Sequence, residues 1–406
     1  MSSNALLPGH KSTASQALPA ATYVLSLCQA LNLTAAVVSV TIAALVGAKM
    51  APNATWATVP YGFQFAAVAF LTYPAAALMR RFGRKAGFLL GALLLIAAGG
   101  VGYQAVVTAR FTELIVAHGL LGAFVAFANF YRFAAVENLA SELRPRGVSL
   151  VVAGGIAAAV TGPLVSIGLR DIGHYAPFSL CYAFFIVLGL ATMGLIFLWR
   201  PVGMPAKTCV AAPAARSPLS APVVVAMFAS AAGYLIMNLL MVQASLVMET
   251  MCVAFKASTF AVQGHVIAMF APSFITGTII ARIGFRNILL TGFVLLIAAA
   301  IVGMSNLGFV AMVVGLLLLG VGWNFSYVGG GALLANQLTE GNRHRFQAIN
   351  DSAIAVCATV GAFAPSVLES TIGWRNTNLL CLCLCVVGCV LAWRVLSVQR
   401  PAVFNG

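Results

Sequence analysis

Long apolar runs alternate with short polar connections along this chain. Runs with almost no charge fall at about 20–46, 58–79, 86–108, 112–138, 148–169 and 177–199. Six more follow at about 221–247, 259–281, 287–305, 308–335, 347–369 and 378–397. Each approaches the ~20 residues that a helix needs to cross a hydrocarbon layer. In lipid a backbone must satisfy its own hydrogen bonds, so each run predicts a helix. Twelve transmembrane helices of an all-α membrane protein result. A polar stretch at 200–220 carries Pro201, Pro205, Pro213 and Pro218 and reads as a loop. It divides the chain into a first bundle at 1–199, a linker at 200–220 and a second bundle at 221–406.

The two halves repeat one another. Ala76 to Lys85 reads Ala-Ala-Leu-Met-Arg-Arg-Phe-Gly-Arg-Lys after run 2. Gly277 to Arg286 reads Gly-Thr-Ile-Ile-Ala-Arg-Ile-Gly-Phe-Arg after run 8. Gly284 lies 201 residues after Gly83, and Arg343 lies 199 residues after Arg144. An offset of half the chain marks two pseudo-symmetric six-helix bundles, a plan recurrent in membrane carriers.

Composition agrees with burial in lipid. Hydrophobic residues make up 62% and charged residues 7%, against roughly 25% charged in a soluble domain. Mean hydropathy is +1.01. The net charge of +14 would suggest nucleic acid in a soluble protein, but here the charges sit in short loops. With the N-terminus inside, sixteen of the 22 Lys and Arg residues fall on inner loops and five on outer ones. Arg132 is left within span 4. That bias places both termini in the cytoplasm. The cysteines lie mostly within spans, so no disulfide framework is expected. The phosphate-cradling Gly-x-x-x-x-Gly-Lys-Ser/Thr loop is absent, as are catalytic carboxylate pairs, and neither a cofactor nor an enzyme activity is expected.

Ionisable groups within spans are costly, about 2.5–3.5 kcal/mol at the bilayer centre, so each is informative. Arg132 and Glu137 belong to the inner half of span 4, and Asp351 lies one turn into span 11. A relay for protons or substrate competes with a plain interfacial pair that fixes packing. His118 and His265 could carry protons, although packed, hydrogen-bonded histidines are commoner. Cys381, Cys385 and Cys389 share a helix face, but Cys in apolar surroundings is a small hydrophobe first.

The loop Arg80-Arg-Phe-Gly-Arg-Lys85 resembles the signature of the major facilitator superfamily, Gly-x-Leu-x-Asp-Arg-x-Gly-Arg-Lys, at the same place. Gly277 to Arg286 resembles its second copy. Gly154-Gly155 followed by Gly162-Pro163 resembles a motif of its exporters. The resemblance implies two bundles around a central cavity that opens alternately to each side. Two departures stand out. The signature Asp is Arg80 here and Ala281 in the second copy, and the usual span 4 Arg is matched by His118. A narrower resemblance rests on Tyr131-Arg132-Phe133, Gly322-Trp323-Asn324-Phe325 and Gln347-Ala-Ile-Asn350-Asp351. These are similar to a bacterial subgroup that includes the RfnT-type riboflavin transporters. A monomer in a bacterial inner membrane, with riboflavin as substrate and a coupling proton, is what this implies. Proton-coupled efflux of a drug or metabolite is the alternative.

By the same resemblance, spans 1, 4, 7 and 10 line the cavity. Their mid-span polar groups are the substrate candidates: Gln29, Asn32, Asn129, Arg132, Tyr234, Asn238, Trp323, Asn324 and Tyr327, with Gln64 of span 2 beside them. Tyr234 and Asn238 share a helix face, as do Asn324 and Tyr327. The competing reading is interhelical hydrogen bonding, at about 0.6 kcal/mol per bond. Tryptophan favours membrane interfaces, so Trp323 at mid-depth is the leading ligand contact. Arg80, Gly83, Arg84, Glu137 and Asp351 are the gating candidates. In the superfamily the signature Asp meets the start of span 11, so inverted polarity predicts a latch between Arg80 and Asp351 or Glu137. Gly154, Gly155, Gly162 and Pro163 predict a close contact surface on span 5, and Gly329-Gly330-Gly331 predicts a hinge.

Overall fold

The computed structural model describes residues 18–135, 139, 143–200, 219–305 and 308–396. Glu137 lies outside these, as does most of the linker. Thirteen α-helices follow in order among the described residues. They are α1 Ala20–Met50, α2 Val59–Phe82, α3 Arg84–Thr108, α4 Phe111–Ala128, α5 Tyr131–Ala134, α6 Arg144–Leu169 and α7 Ser179–Leu198. The second half holds α8 Ala221–Thr250, α9 Phe255–Phe270, α10 Ser273–Gly303, α11 Gly308–Gln337, α12 Glu340–Thr371 and α13 Gly373–Val395. A single 3-10 turn, Ala54–Trp56, precedes α2. Among the described residues, ten helical segments are long and apolar enough to cross a membrane.

Burial is inverted relative to a soluble protein. Phe70 is 79% exposed and Leu198 75%, while Gln243 and Asn324 have no exposure. Apolar side chains on the outside and amides within are the arrangement that hydrocarbon demands.

Three boundaries differ from the hydropathy pattern. The run at 112–138 ends as a long helix at Ala128, and Tyr131–Ala134 forms a separate turn. The run at 259–281 is broken at Ala271-Pro272, where proline has no N–H to donate. The connection expected between runs 8 and 9 shrinks to Gly284, whose φ of 80° and ψ of 165° interrupt α10. Counting α4 with α5 as one span, and joining α9 to the first part of α10, restores twelve spans.

Two apolar cores correspond to the two halves. Val37, Val40, Ala43 and Ala44 of α1, Tyr61 of α2, and Ala158 and Ala159 of α6 join the second-half core rather than their own. Small residues make these approaches close. Gly154 faces Ala30, Gly162 faces Val37, and Gly155 faces Phe270 of the other half. Through Gly329–Gly331, α11 runs unbroken, with Gly329 against Ile288 and Gly330 against Ser230. These two glycines are packing positions here, without a bend.

Candidate functional site

The inter-half contacts gather at the arginine-poor end. Thr58 and Ser366 hydroxyls lie 2.7 Å apart, Thr58 Oγ1 donates to the Phe363 carbonyl at 2.9 Å, and Ser366 Oγ donates to the Thr55 carbonyl at 2.7 Å. Gly62 meets the Phe363 ring directly. Across the second seam, Phe178 and Phe255 stand edge-to-face at 5.3 Å. Arg170 lies over both rings, at 5.3 and 4.7 Å. This end of the molecule is sealed by α2 against α12 and by the α6–α7 connection against α9.

Deeper in, aromatic rings cross between the halves. Tyr61 and Phe65 of α2 pair at 5.1 Å, and Phe65 reaches Tyr234 of α8 at 6.4 Å. Tyr234 meets Trp323 at 6.0 Å and Tyr327 at 5.7 Å. Trp323 and Tyr327, one turn apart on α11, stack at 4.8 Å and 10°. Phe270 closes on Trp323 at 6.5 Å. In the first half, the Arg132 guanidinium on α5 lies over the Phe133 ring at 4.7 Å.

On α1, Gln29 shares a helix face with Thr22 and Leu33. Thr22 Oγ1 donates to the Ala135 carbonyl just past α5, and Leu33 packs on the second-half core. Gln29 lies between them at helical spacing. Gln29 Oε1, Asn32 Oδ1 and Trp323 Nε1 are buried without a hydrogen-bond partner among the described residues. Buried polar atoms normally find partners, so each of these is open to a ligand or water. Half-buried Asn129 follows the last turn of α4, three residues before Arg132.

The other amides are occupied. Asn324 Oδ1 accepts from Thr276 Oγ1 at 2.7 Å, and its Nδ2 donates to the Met269 carbonyl at 2.7 Å and to Ser273 Oγ at 2.6 Å. It spans the break at Pro272, where carbonyls lose their helical donors, and pins the bend. Asn238 Nδ2 donates to the Ala358 carbonyl at 2.9 Å, and its Oδ1 accepts from Tyr61 at 3.4 Å. Gln64 Oε1 accepts from Ser39 at 2.7 Å and from His118 Nδ1 at 3.0 Å, while His118 Nε2 faces the Tyr182 hydroxyl at 3.0 Å. An amide oxygen only accepts, so His118 carries its proton on Nδ1 and Tyr182 donates to Nε2. His265 Nδ1 donates to the Leu316 carbonyl at 2.7 Å. Both histidines are packed within a bundle.

At the arginine-rich end, Arg80 lies over the Tyr73 ring at 6.0 Å. Asp351 accepts from Asn350 Nδ2 at 3.4 Å. Gly83 holds a φ of 86° and separates α2 from Arg84 at the start of α3. No cluster of three metal-ligating side chains occurs among the described residues. Sequence reasoning missed Phe65 and Phe270, which look like lipid-facing apolar residues until the bend at Pro272 and the α2 seam bring them inward.

Comparison with known proteins places these features in a family context. A profile of the Major Facilitator Superfamily matches residues 223–405. The riboflavin transporter RfnT of Brucella anthropi is 30% identical over 368 residues, covering 87% of this chain and 90% of that protein. YdeG, an uncharacterized MFS-type transporter of Bacillus subtilis, is 25% identical over 366 residues, covering 84% and 83%. The crystal structure of a D-xylose-proton symporter superposes with a TM-score of 0.69 at 13% identity, covering 94% of this chain and 98% of that one. A bacterial homolog of the human lysosomal transporter Spinster, in an inward-facing and occupied conformation, gives 0.69 at 12% identity, with the same coverage.

Proposed function

Since the chain belongs to the Major Facilitator Superfamily, and is therefore a multi-pass membrane transporter of a small molecule, we propose that its cargo is riboflavin, taken up across a bacterial inner membrane by alternating access. The observation that carries this reading is the ring cluster of Tyr61, Phe65, Tyr234, Phe270, Trp323 and Tyr327 between the halves, which holds the unpartnered Trp323 Nε1. A planar heterocycle with carbonyl and N–H groups along its edge matches rings for its faces and amides for its rim. The 30% identity to a riboflavin transporter points the same way.

In this reading Gln29, Asn32, Asn129, Tyr234 and Trp323 contact the substrate, while Asn238 and Asn324 hold the helices that present it. The seal at Thr58 and Ser366 is the outer gate. Arg80, Gly83, Arg84, Glu137 and Asp351 form the inner gate, with Arg80 meeting Asp351 when that end closes. The protein works as a monomer with both termini in the cytoplasm, and a proton accompanies the vitamin. Growth of a riboflavin-auxotrophic, uptake-deficient bacterium on limiting vitamin tests this. Rescue supports it, and failure despite verified membrane expression rejects it. Protection of a pump-deficient strain from toxic compounds would point to export instead.

A further inference from the structure

One amide sets both Phe270 and Trp323. Asn324 Nδ2 donates to the Met269 carbonyl and to Ser273 Oγ, and its Oδ1 accepts from Thr276 Oγ1. Met269 immediately precedes Phe270, and Asn324 immediately follows Trp323. The chain on both sides of the break at Pro272 is thereby fixed to α11, and Phe270 stands edge to face with Trp323 at 6.5 Å and 73°. Both rings belong to the second half. The first half reaches this pair through Gly155, near the middle of α6. A Cβ there would stand 3.0, 3.1 and 3.3 Å from Cδ1, Cγ and Cδ2 of Phe270. Near-equal distances to three adjacent ring atoms put the α6 backbone over a face of the ring. Gly154 is packed as tightly, but against Ala30 of its own half, where a Cβ would find atoms at 3.1–3.3 Å. Gly168, on the same helix, faces nothing within 4 Å.

We propose that Gly155 is a specificity-determining position that acts through Phe270, a proposal that rests on the ring site assigned above. A methyl group at 155 is closer to the ring than ordinary contact allows, so something must give by a few tenths of an ångström. The backbone beside Phe270 is held by Asn324, so the ring itself turns or shifts. Close-packed interiors transmit such displacements. A displaced Phe270 changes its contact with Trp323 and reshapes the ring site. A wide planar ligand fills more of that site than a narrow one and tolerates the change less. The bare backbone at 155 thus leaves Phe270 where a wide ring system fits. Gly155 is a positioning residue, and its effect is on discrimination between ligands of different ring number. Gly154, which faces Ala30 instead of a ring, has no such effect.

The test compares uptake of riboflavin, with three fused rings, and of ribityllumazine, which carries the same side chain on two. Gly155→Ala should lower kcat/KM for riboflavin about 10-fold relative to ribityllumazine, the lower end of what one methylene does in a pocket. The loss should lie in KM. Gly154→Ala and Gly168→Ala should leave the ratio unchanged, whereas a role in helix packing or helix propensity alone would move it with them. On a Phe270→Ala background, Gly155→Ala should no longer alter the ratio. An equal shift in Gly154→Ala, or a shift that persists without the Phe270 ring, overturns the proposal. If the Phe270→Ala protein does not fold, the contrast between Gly155→Ala and Gly154→Ala decides. A second readout needs no cargo. Full-length protein in lipid nanodiscs, with Trp323 as its sole tryptophan through Trp56→Phe, Trp199→Phe, Trp374→Phe and Trp393→Phe, is quenched with acrylamide. Gly155→Ala should change the quenching, and Gly154→Ala should not. If the parent takes up neither compound, the cargo assignment fails, and quenching alone decides whether Gly155 acts on Trp323 through Phe270. Unchanged quenching in Gly155→Ala overturns it.

Discussion

Gly83 and Gly284 hold the same backbone conformation 201 residues apart, with φ and ψ of 86° and 156° in one and 80° and 165° in the other. The residues that follow keep the correspondence. Lys85 donates to the carbonyls of Phe197 and Trp199, at 3.0 and 3.1 Å, at the end of α7. Arg286 lies 3.9 Å over the Trp393 ring on α13. In each half, the cation two residues past the glycine is fastened to the last helix of its own bundle. The two six-helix units are thus copies in geometry as well as in sequence.

This conformation lies in a region almost closed to residues with a Cβ. A Cβ at Gly83 would meet nothing, so the cost of Gly83→Ala is conformational alone. It should destabilise the protein by about 1–3 kcal/mol. Gly277→Ala, at an uncrowded helical position in the second copy, should be close to neutral. Thermal unfolding in detergent measures both. Equal stability of the two variants would mean that the loop relaxes into an ordinary turn.

The seal at Thr58 and Ser366 must part for the arginine-poor end to open. Thr58→Cys with Ser366→Cys, in a background stripped of native cysteines, should cross-link on oxidation, because the hydroxyls they replace sit 2.7 Å apart. Uptake should stop with oxidant and return with reductant. Continued uptake by fully cross-linked protein would place the moving gate elsewhere.

The spans, the repeat and the bias of basic loops were legible in the sequence because the bilayer imposes them residue by residue. The polar interior was not. Asn324 reads as a cavity-lining amide by its position on span 10. Its partners exist only because Pro272, 52 residues earlier, opens the backbone at Met269. Gln64 likewise finds Ser39 and His118 on two other helices. Hydropathy locates a helix without giving its rotation, and rotation decides which amide meets a neighbour and which meets a cavity. Arg132 shows the same limit. Its charge drew attention in the sequence, but its place on a separate short turn, over the Phe133 ring, needed the structure.

A native thiol tests the orientation. Cys252 is exposed in the connection between α8 and α9, at the arginine-poor end. If that end faces outward, a membrane-impermeant maleimide should label Cys252 in intact cells, and Cys252→Ser should abolish the signal. Labelling confined to inside-out vesicles would reverse the topology and place the basic loops outside.

The division of the amides into braces and ligand groups predicts opposite outcomes at Asn324 and Gln29. Asn324→Leu removes three bonds and leaves the Met269 carbonyl, Ser273 and Thr276 without this partner. A buried group left unsatisfied costs about 1–3 kcal/mol, so the unfolding temperature in detergent should fall. Gln29→Leu removes a buried oxygen that has no partner among the described residues, so stability should hold or rise. Its loss should be felt in transport. One ligand hydrogen bond, at about 1.4 kcal/mol, corresponds to roughly tenfold in uptake efficiency. Measured together, unfolding temperature and kcat/KM separate the two residues. A stable but inactive Asn324→Leu, beside an unstable Gln29→Leu, would exchange their roles and move the polar rim of the site from α1 to α11.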